Sequence, residues 1–218
     1  MRGTGFLAIW SDVAADREVD YLHWLTREHA QERLGVPGFL AVRVFRAAIE
    51  AGGRYFILYE LADRNVVGSP AYLARLNAPT PWSQRIMPIL GNFRRGGGTV
   101  VASAGSGQGG LVVPLRLTGP TDFPVATLAG VDGIVAARLL QADNARSSIK
   151  TDEKRLRGGD DSFERLLLLE ATGPHALDAM PEPLAGAGVE FADFEADFAL
   201  RYAQVFGLTR DQVGLPPA

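Results

Sequence analysis

A histidine and an arginine, His29 and Arg33, stand four residues apart in a stretch whose spacing predicts a helix. At about 100° per residue, both fall near the middle of the apolar side of that helix, which should face a sheet. An ionisable pair there costs free energy unless each member finds a partner. Two interpretations stay open. Either the two residues line a small cavity, with His29 as a general base or as a metal or haem ligand, or both are structural, with His29 hydrogen-bonded to a strand or to Glu32.

Further side chains are candidates for lining a ligand cavity, namely Trp10, Tyr59, Asn77 and Trp82. The first two lie on predicted strands, and the other two in the loop NAPTPWSQR, whose prolines stiffen the chain. Aromatic residues at such places usually pack in a core, but Tyr and Trp also donate hydrogen bonds to ligands. The other histidines are expected near the surface, His23 at the margin of the apolar stripe and His175 at a helix start.

Other motifs point away from common chemistries. The glycine runs at 96–98 and 105–110 lack the strand–turn–helix setting and the lysine of a phosphate loop, so both are predicted to be linkers. Asp160 and Asp161 lie in a polar loop and are predicted to be solvated. The dispersed histidines have no His-x-x-x-His spacing, and no nucleophile-elbow, zinc-protease or dinucleotide-binding motif occurs. We therefore expect no metal site.

Composition excludes several classes of function. The chain has no cysteine, which rules out disulfides and thiolate catalysis. Lys and Arg total 22 against 25 Asp and Glu, a formal net charge of −3, so no nucleic-acid partner is expected. No apolar run approaches the ~20 residues of a membrane span, and the N-terminal apolar run is too short for a signal peptide. The sequence predicts a soluble cytoplasmic protein without a membrane partner.

The first part of the chain has the element order β-α-β-β-α-β. A Gly- and Pro-free helix over 16–34 ends at Gly35, with Pro37 close behind. The predicted strands cover 6–13, 39–47, 54–61 and 99–104, and a short second helix covers 70–77. This order is the split ferredoxin-like unit.

The same unit recurs. The segment 35–47 reads GVPGFLAVRVFRA and returns at 130–142 as GVDGIVAARLLQA, with Arg43 matching Arg138. We predict a first repeat over 1–104, a linker over 105–110 and a degenerate second repeat over 111–218. The second repeat has a shortened first helix and a polar insertion at 143–162 without apolar periodicity. Its segment 194–206 fits either a helix or a strand, and the repeat favours a strand.

Several strands are apolar at successive positions, among them FLAIW, YFILY, LVVPL and RLLLLEA. A half-exposed sheet would alternate, so both faces of these sheets must be covered. Helices cover one face, and the sister sheet is expected to cover the other. The fold class predicted is α+β, with two four-stranded sheets packed as a sandwich or barrel.

An aromatic strand, a helix carrying REHAQERLGVPGF and then a strand, hairpin and strand together resemble the dimeric α+β barrel superfamily, in particular its EthD-like and stress-responsive bacterial members. The stretch SPAYLARLNAPTPW resembles a branch of bacterial proteins with two fused copies. The resemblance implies two tandem ferredoxin-like repeats whose antiparallel sheets pair into an intramolecular α+β barrel. Superfamily members include cofactor-free monooxygenases, haem-handling enzymes and isomerases, and their ligands lie in the cleft between helix and sheet.

Two functional hypotheses follow. In the first, the chain is a cofactor-free oxygenase or isomerase acting on an apolar or aromatic compound, with His29 as general base and Arg33 holding an anionic group. In the second, it is a non-enzymatic, stress-associated binding or structural module, with haem binding as a further variant. The shortened first helix of the second repeat has no counterpart of His29 or Arg33, so the site is expected in the first repeat. The protein is expected to be a monomeric pseudo-dimer or a homodimer.

Overall fold

The computed structural model describes residues 1–118, 124–147, 149–188 and 190–214. Its strands are β1 (Gly5–Ala14), β2 (Phe39–Ile49), β3 (Gly52–Leu61), β4 (Gly91–Gly105), β5 (Leu111–Leu117), β6 (Ile134–Ala142), β7 (Arg165–Ala171) and β8 (Tyr202–Thr209). They form a closed antiparallel barrel in the order β1-β3-β2-β8-β5-β7-β6-β4. Each strand pairs with two neighbours, and the shortest pairing joins β5 to β8 at Leu111 and Val112.

The two halves of the chain contribute equivalent sheets. The first half (residues 1–105) supplies β4-β1-β3-β2, and the second half (residues 106–214) supplies β8-β5-β7-β6. The sheets join where β2 pairs with β8 and where β4 pairs with β6. This is the order of the ferredoxin-like unit used twice, so the predicted fold class and the intramolecular barrel are confirmed.

The helices are short. They are α1 (Glu18–Trp24), α2 (Ala30–Gly35), α3 (Pro70–Leu76), α4 (Pro81–Ile86), α5 (Val125–Ala129), α6 (Asn144–Ser147), α7 (Asp152–Leu156), α8 (Pro174–Asp178), α9 (Pro181–Gly186) and α10 (Phe194–Ala199). A π-helical turn, Leu25–His29, joins α1 to α2, so the helix predicted over 16–34 is continuous but locally widened. None of the helices in the described ranges is long and apolar enough to span a membrane.

Alternation along the strands builds separate inner and outer cores. In β1, Phe6 and Trp10 point into the barrel, where a cluster of residues from both halves fills the interior. Leu7 and Ile9 point outward and pack beneath the helices of the first half. A third cluster lies beneath the helices of the second half. Both faces of the sheets are therefore covered, as the successive apolar residues predicted.

Four charged residues inside the barrel, Arg43, Glu60, Arg138 and Glu170, form what we call the barrel quartet. Arg43 donates Nη1 and Nη2 to the Glu170 carboxylate at 2.6 and 2.9 Å, and Arg138 Nη1 also bonds it. Burial alone would raise the pKa of Glu170, but the hydrogen bond and charge of Arg43, together with Arg138, hold it below its usual value. Glu170 is thus ionised, and the matched arginines of the two repeats meet on it.

One predicted linker belongs to the barrel. The residues at 96–98 lie within β4, so the prediction that they form a linker is wrong. A Cβ on Gly98 would stand 2.0 Å from the Gln141 carbonyl oxygen, and one on Gly96 would stand 2.5 Å from the Phe163 ring. Glycine is required there because β4 passes so close to its neighbours.

The segment 194–206 is not one strand. Residues Phe194–Ala199 form α10, and β8 begins only at Tyr202, so the predicted strand is wrong in its first part. Asp193 caps the helix by accepting a hydrogen bond from the Ala196 backbone N–H at 3.2 Å. Such a cap favours a helix over the extended alternative that the sequence also allowed.

The polar insertion at 143–162, described except at residue 148, has secondary structure. It contains α6 and α7, and α7 packs against α3 and α4 of the first half. The side chain of Asp160 is buried while that of Asp161 is exposed, so the prediction that both are solvated is wrong for Asp160. The reason is tertiary, because Asp160 lies between two arginines from different parts of the chain.

Candidate functional site

His29 ends the π-helical turn and is buried beneath it, with 6% of its surface exposed. Its ring lies against Trp24, with ring centroids 4.1 Å apart. Its Nδ1 atom is buried and has no hydrogen-bond partner. Widened turns of this type occur frequently at functional sites, because they shift the side chains that follow them out of the regular helical positions.

The surroundings of His29 keep its ring neutral. Burial lowers the pKa of His29 well below its usual value, and the charges of Arg33, Arg157 and Arg75 lower it further. A neutral imidazole has a nitrogen lone pair available to accept a proton. His29 therefore carries the protonation state that a general base requires at neutral pH.

Arg33 follows one turn later and is also buried. Its Nη2 atom donates to Glu153 Oε1 at 2.5 Å, while its Nη1 atom has no partner. Burial disfavours the charged form of Arg33, but Glu153, with Tyr72 and Tyr59, outweighs that effect and holds its pKa above the usual value. Arg33 is therefore a fixed cation with one unused group of N–H donors.

Glu153 comes from the polar insertion of the second half, and it begins a run of buried charges. Arg157 Nη1 lies 3.8 Å from Glu153 Oε2, and Arg157 donates to Asp160 through Nε and Nη2, both at 3.0 Å. Asp160 in turn lies 4.0 Å from Arg95 Nη1. We call this series, from Arg33 to Arg95, the helix-layer charge chain.

Sequence reasoning missed Glu153 and Arg157. Leu156 is the only apolar residue between Lys150 and Ser162, so no hydrophobic period marks the stretch as buried. Leu156 packs against the outer core of the first half and carries α7 there. The i, i+4 spacing of Glu153 and Arg157 was the one available signal, and such spacing is also common on solvated helices.

Tyr59 lies on the outer face of β3, beneath the same helices. Its hydroxyl is buried without a partner, and burial raises the pKa of the phenol above its usual value. Its neighbour Tyr72 packs against Phe39 with the ring planes tilted by 49°, and it accepts a hydrogen bond from Arg95 Nη2 at 3.2 Å. The guanidinium of Arg33 stands 5.9 Å from the Tyr72 ring centre. His29, Arg33 and Tyr59 thus belong to one polar region between helix and sheet.

The other predicted ligand-lining residues are divided between two places. Trp82 and Asn77 lie in the helix layer, where Trp82 Nε1 donates to Asp20 at 3.0 Å and Asn77 Oδ1 accepts from the Asp152 backbone N–H at 3.1 Å. Trp10 points into the barrel, on the opposite face of the sheet from Tyr59. Trp10 and Tyr59 therefore do not line one cavity.

His23 and His175 are exposed. Within the described ranges, no group of three or more His, Asp or Glu side chains is arranged to hold a metal ion.

The architecture defines the class of protein: an α+β protein with a closed eight-stranded antiparallel barrel, the fold of the dimeric α+β barrel proteins. Two solved structures share it over nearly their whole length. A candidate monooxygenase from Fusobacterium nucleatum has a TM-score of 0.51 and 12% identity, with 96% of each chain covered. An anthrone oxidase-like protein has a TM-score of 0.55 and 13% identity, with 100% of this chain and 98% of that chain covered.

At these identities, the likeness concerns the fold alone. No protein-family model and no curated protein matches the sequence.

Proposed function

We propose that this chain is a small-molecule enzyme of the α+β barrel type, in which His29 acts as general base on an apolar or aromatic substrate. The observation that carries the proposal is the buried, neutral imidazole of His29, whose Nδ1 atom has no partner. Buried polar atoms without partners are uncommon in folded proteins, and a functional role is one explanation for them. The closer resemblance to EthD-like members rests on the sequence and is part of this proposal.

Two neighbouring groups suit the charge that proton removal would create. When His29 takes a proton from a C–H beside a carbonyl or phenol group, negative charge develops on the substrate oxygen. Arg33 Nη1 and the Tyr59 hydroxyl are buried donors without partners in the same region. Donors held in place before the reaction stabilise such charge most effectively.

The same first step serves both reaction types proposed. In an isomerase, His29 returns the proton to a different carbon of the substrate. In an oxygenase, the carbanion reacts with O₂ as co-reactant, and a CH₂ group becomes a carbonyl with release of one water (R₂CH₂ + O₂ → R₂CO + H₂O). The oxidase-like and monooxygenase descriptions of the two structural neighbours favour the oxygenase.

Substrate access would require the insertion to move. Helix α7 covers the region from outside and is held by the Arg33–Glu153 ion pair and by the Asn77–Asp152 hydrogen bond. None of the cavities described in this structure is lined by His29. Opening of this segment is therefore an integral step of the proposed reaction.

The closed packing also favours a second candidate function, a non-enzymatic binding or structural module. Glu153 already neutralises Arg33, and Trp24 already covers one face of His29. In that case, the buried charges serve only to fasten the insertion to the first half.

The surroundings of His29 do not fit a haem. Trp24 lies 4.1 Å from the imidazole, and Arg33 with its partner Glu153 fills the adjoining space. A macrocycle would have to displace both, so no reaction step is assigned to haem.

The test uses anthrone as probe substrate, with oxygen uptake and incorporation of solvent deuterium into the CH₂ group as readouts. We expect activity in the wild type and a loss of about a hundredfold or more in His29→Gln, in line with the usual contribution of a general base. The matched control is His23→Gln, because His23 is an exposed histidine on the same helical segment. It should retain wild-type activity.

A variant that loosens the cover sharpens the test. Glu153→Gln removes the charge that holds α7 to Arg33 and should raise the rate of access without touching His29. If neither the wild type nor Glu153→Gln shows oxygen uptake or deuterium exchange, the non-enzymatic function is preferred. Equal activity in His29→Gln and His23→Gln would also refute the role of His29 as base.

A further inference from the structure

A second polar region lies at one mouth of the barrel, away from His29. A cavity of about 340 Å³ opens there, with Trp10, Tyr202, Arg54, Arg94 and Arg116 among its lining residues. Strand register places it at the opposite end from the barrel quartet. In β1, Phe6 faces Glu60 of the quartet, whereas Trp10 and Asp12 face Phe56 and Arg54.

The cavity exists because one strand begins late. In the first half, β4 runs beside β1 from Gly5 to Asp12. In the second half, β8 pairs with β5 only at Leu111 and Val112. Beyond these residues, helix α10 packs beside β5, and the far end of β5 forms an isolated bridge between Leu117 and Phe191. Because a helix does not fill the gap left by a strand, a cavity forms between α10 and this end of the barrel.

The two halves of the molecule differ in charge at this cavity. Phe6 pairs with Glu60 in the first half and Val112 pairs with Glu170 in the second, so these two cross-strand pairs occupy equivalent positions. Four residues further along, the first half has Trp10 and the second half has Arg116. The quartet end repeats its charges in both halves, and the cavity end replaces an aromatic residue with an arginine.

Two of the three arginines are already neutralised. Arg54 donates Nε and Nη2 to Asp12 at 2.5 and 2.6 Å. Arg116 donates Nε and Nη2 to Asp197, each at 2.7 Å to one carboxylate oxygen. Such paired, planar contacts fix the guanidinium groups in place. These arginines shape the cavity and do not need a ligand.

Arg94 lacks a comparable partner. Its ion pair is with Asp161, 3.8 Å away on a side chain that is 76% exposed, and its Nε atom is buried without a hydrogen bond. Burial lowers the pKa of Arg94, and the charge of Arg116 lowers it further. The lining therefore contains a cation whose charge the protein compensates poorly. An anion at Arg94 would supply the missing acceptor.

We propose that this cavity binds a small organic monoanion, a carboxylate with a flat apolar body. The carboxylate would bond the Arg94 guanidinium, and the body would lie against Trp10 and Tyr202. A polyanion fits less well, because Asp161, Asp193 and Asp197 line the same cavity and repel further negative charge. The volume lies near the lower end of the ~300–1,000 Å³ usual for ligand cavities, which suits a small molecule. This site is independent of His29.

The test is calorimetric titration of the whole chain with benzoate, with benzamide as its neutral analogue and inorganic phosphate as the polyanion. We expect saturable benzoate binding and weaker binding of the other two. Arg94→Gln should weaken benzoate binding at least about tenfold, because it removes a charged hydrogen-bond donor. The matched control is Arg85→Gln, since Arg85 is an exposed arginine in the helix layer. It should bind benzoate as the wild type does.

Three results would overturn the proposal: no saturable benzoate binding, equal binding of benzamide, or equal weakening in Arg94→Gln and Arg85→Gln. If Arg94→Gln does not fold, Arg94→Lys decides, because it keeps the charge but loses the planar pair of donors. Weaker binding by folded Arg94→Lys supports the site, and unchanged binding refutes it.

Discussion

The barrel quartet and the helix-layer charge chain are both buried, yet they are built differently. The quartet draws one Arg and one Glu from each half, with Arg43 and Arg138 at matched repeat positions. The helix-layer charge chain joins Arg33 of the first half to Glu153 of an insertion that has no counterpart. Symmetry thus marks the charges that join the two sheets, and asymmetry marks the region of His29.

The unpaired atoms of the two clusters also differ. In the quartet, the unbonded atoms are Arg43 Nε, Arg138 Nε and Glu60 Oε1, all on charged groups, and Arg43 Nε lies 3.8 Å from Glu60 Oε1. Near His29, Arg33 Nη1 is unbonded, and so are two atoms of neutral groups, His29 Nδ1 and the Tyr59 hydroxyl. An added ligand has little to offer the quartet, whereas it would complete the hydrogen bonding around His29.

The largest effect is expected from the quartet. Glu170→Ala would leave Arg43 and Arg138 buried beside one remaining, more distant carboxylate. Removing one member of a buried ion pair typically costs about 3–5 kcal/mol. Urea denaturation should therefore show a loss of that size in the free energy of unfolding. A loss below about 1 kcal/mol would contradict the view that the quartet joins the two sheets.

A smaller loss of stability is expected from the helix-layer charge chain, and a second substitution should restore part of it. Arg33→Met and Glu153→Met should each destabilise the fold by about 2–4 kcal/mol, and the double variant should recover part of the loss, because no buried charge is left unpaired. The measurement is a double-mutant cycle in urea. Strict additivity would show that the pair is not coupled. The matched control is the exposed pair Arg155–Asp152, where Arg155→Ala should change stability by less than about 1 kcal/mol.

The smallest effect is a pH dependence from His29. Its pKa is lowered in the folded state, so only the unfolded chain takes up a proton as pH falls through about 6.5. Stability from this group is therefore complete above that pH and declines below it, by at most about 1.4 kcal/mol per pH unit. His29→Gln should flatten this part of the stability–pH curve, measured from about pH 7.5 to about pH 5.5. An unchanged slope would mean that another group titrates.

Much of the fold was predictable from local patterns. Two ferredoxin-like units with paired sheets were predictable from three patterns. These are the repeated segment at 35–47 and 130–142, the helix over 16–34, and the strands that are apolar at successive positions. The errors fall where contacts between distant residues outweigh local composition. The glycines at 96–98 form part of a strand because β4 passes close to Gln141 and Phe163, which the local sequence does not encode.

The candidate site was predictable only in part. The burial of His29 and Arg33 followed from the helical stripe, and the structure places both beneath the helix. The partner of Arg33 was not predictable, because Glu153 lies 120 residues away in a stretch without apolar periodicity. Trp10 and Tyr59 looked alike as aromatic strand residues, but the pleat turns them to opposite faces of the sheet.

The sequence by itself therefore determined the repeated scaffold, because side-chain periodicity dictates which face of each element must be buried. It also determined that His29 and Arg33 would be buried in the first half alone. Three other features depended on how distant segments pack. They are the covering of that region by α7, the contact of four charged residues inside the barrel, and the cavity beside Arg94. Ion pairs and cavities arise between elements, where no local pattern records the partner.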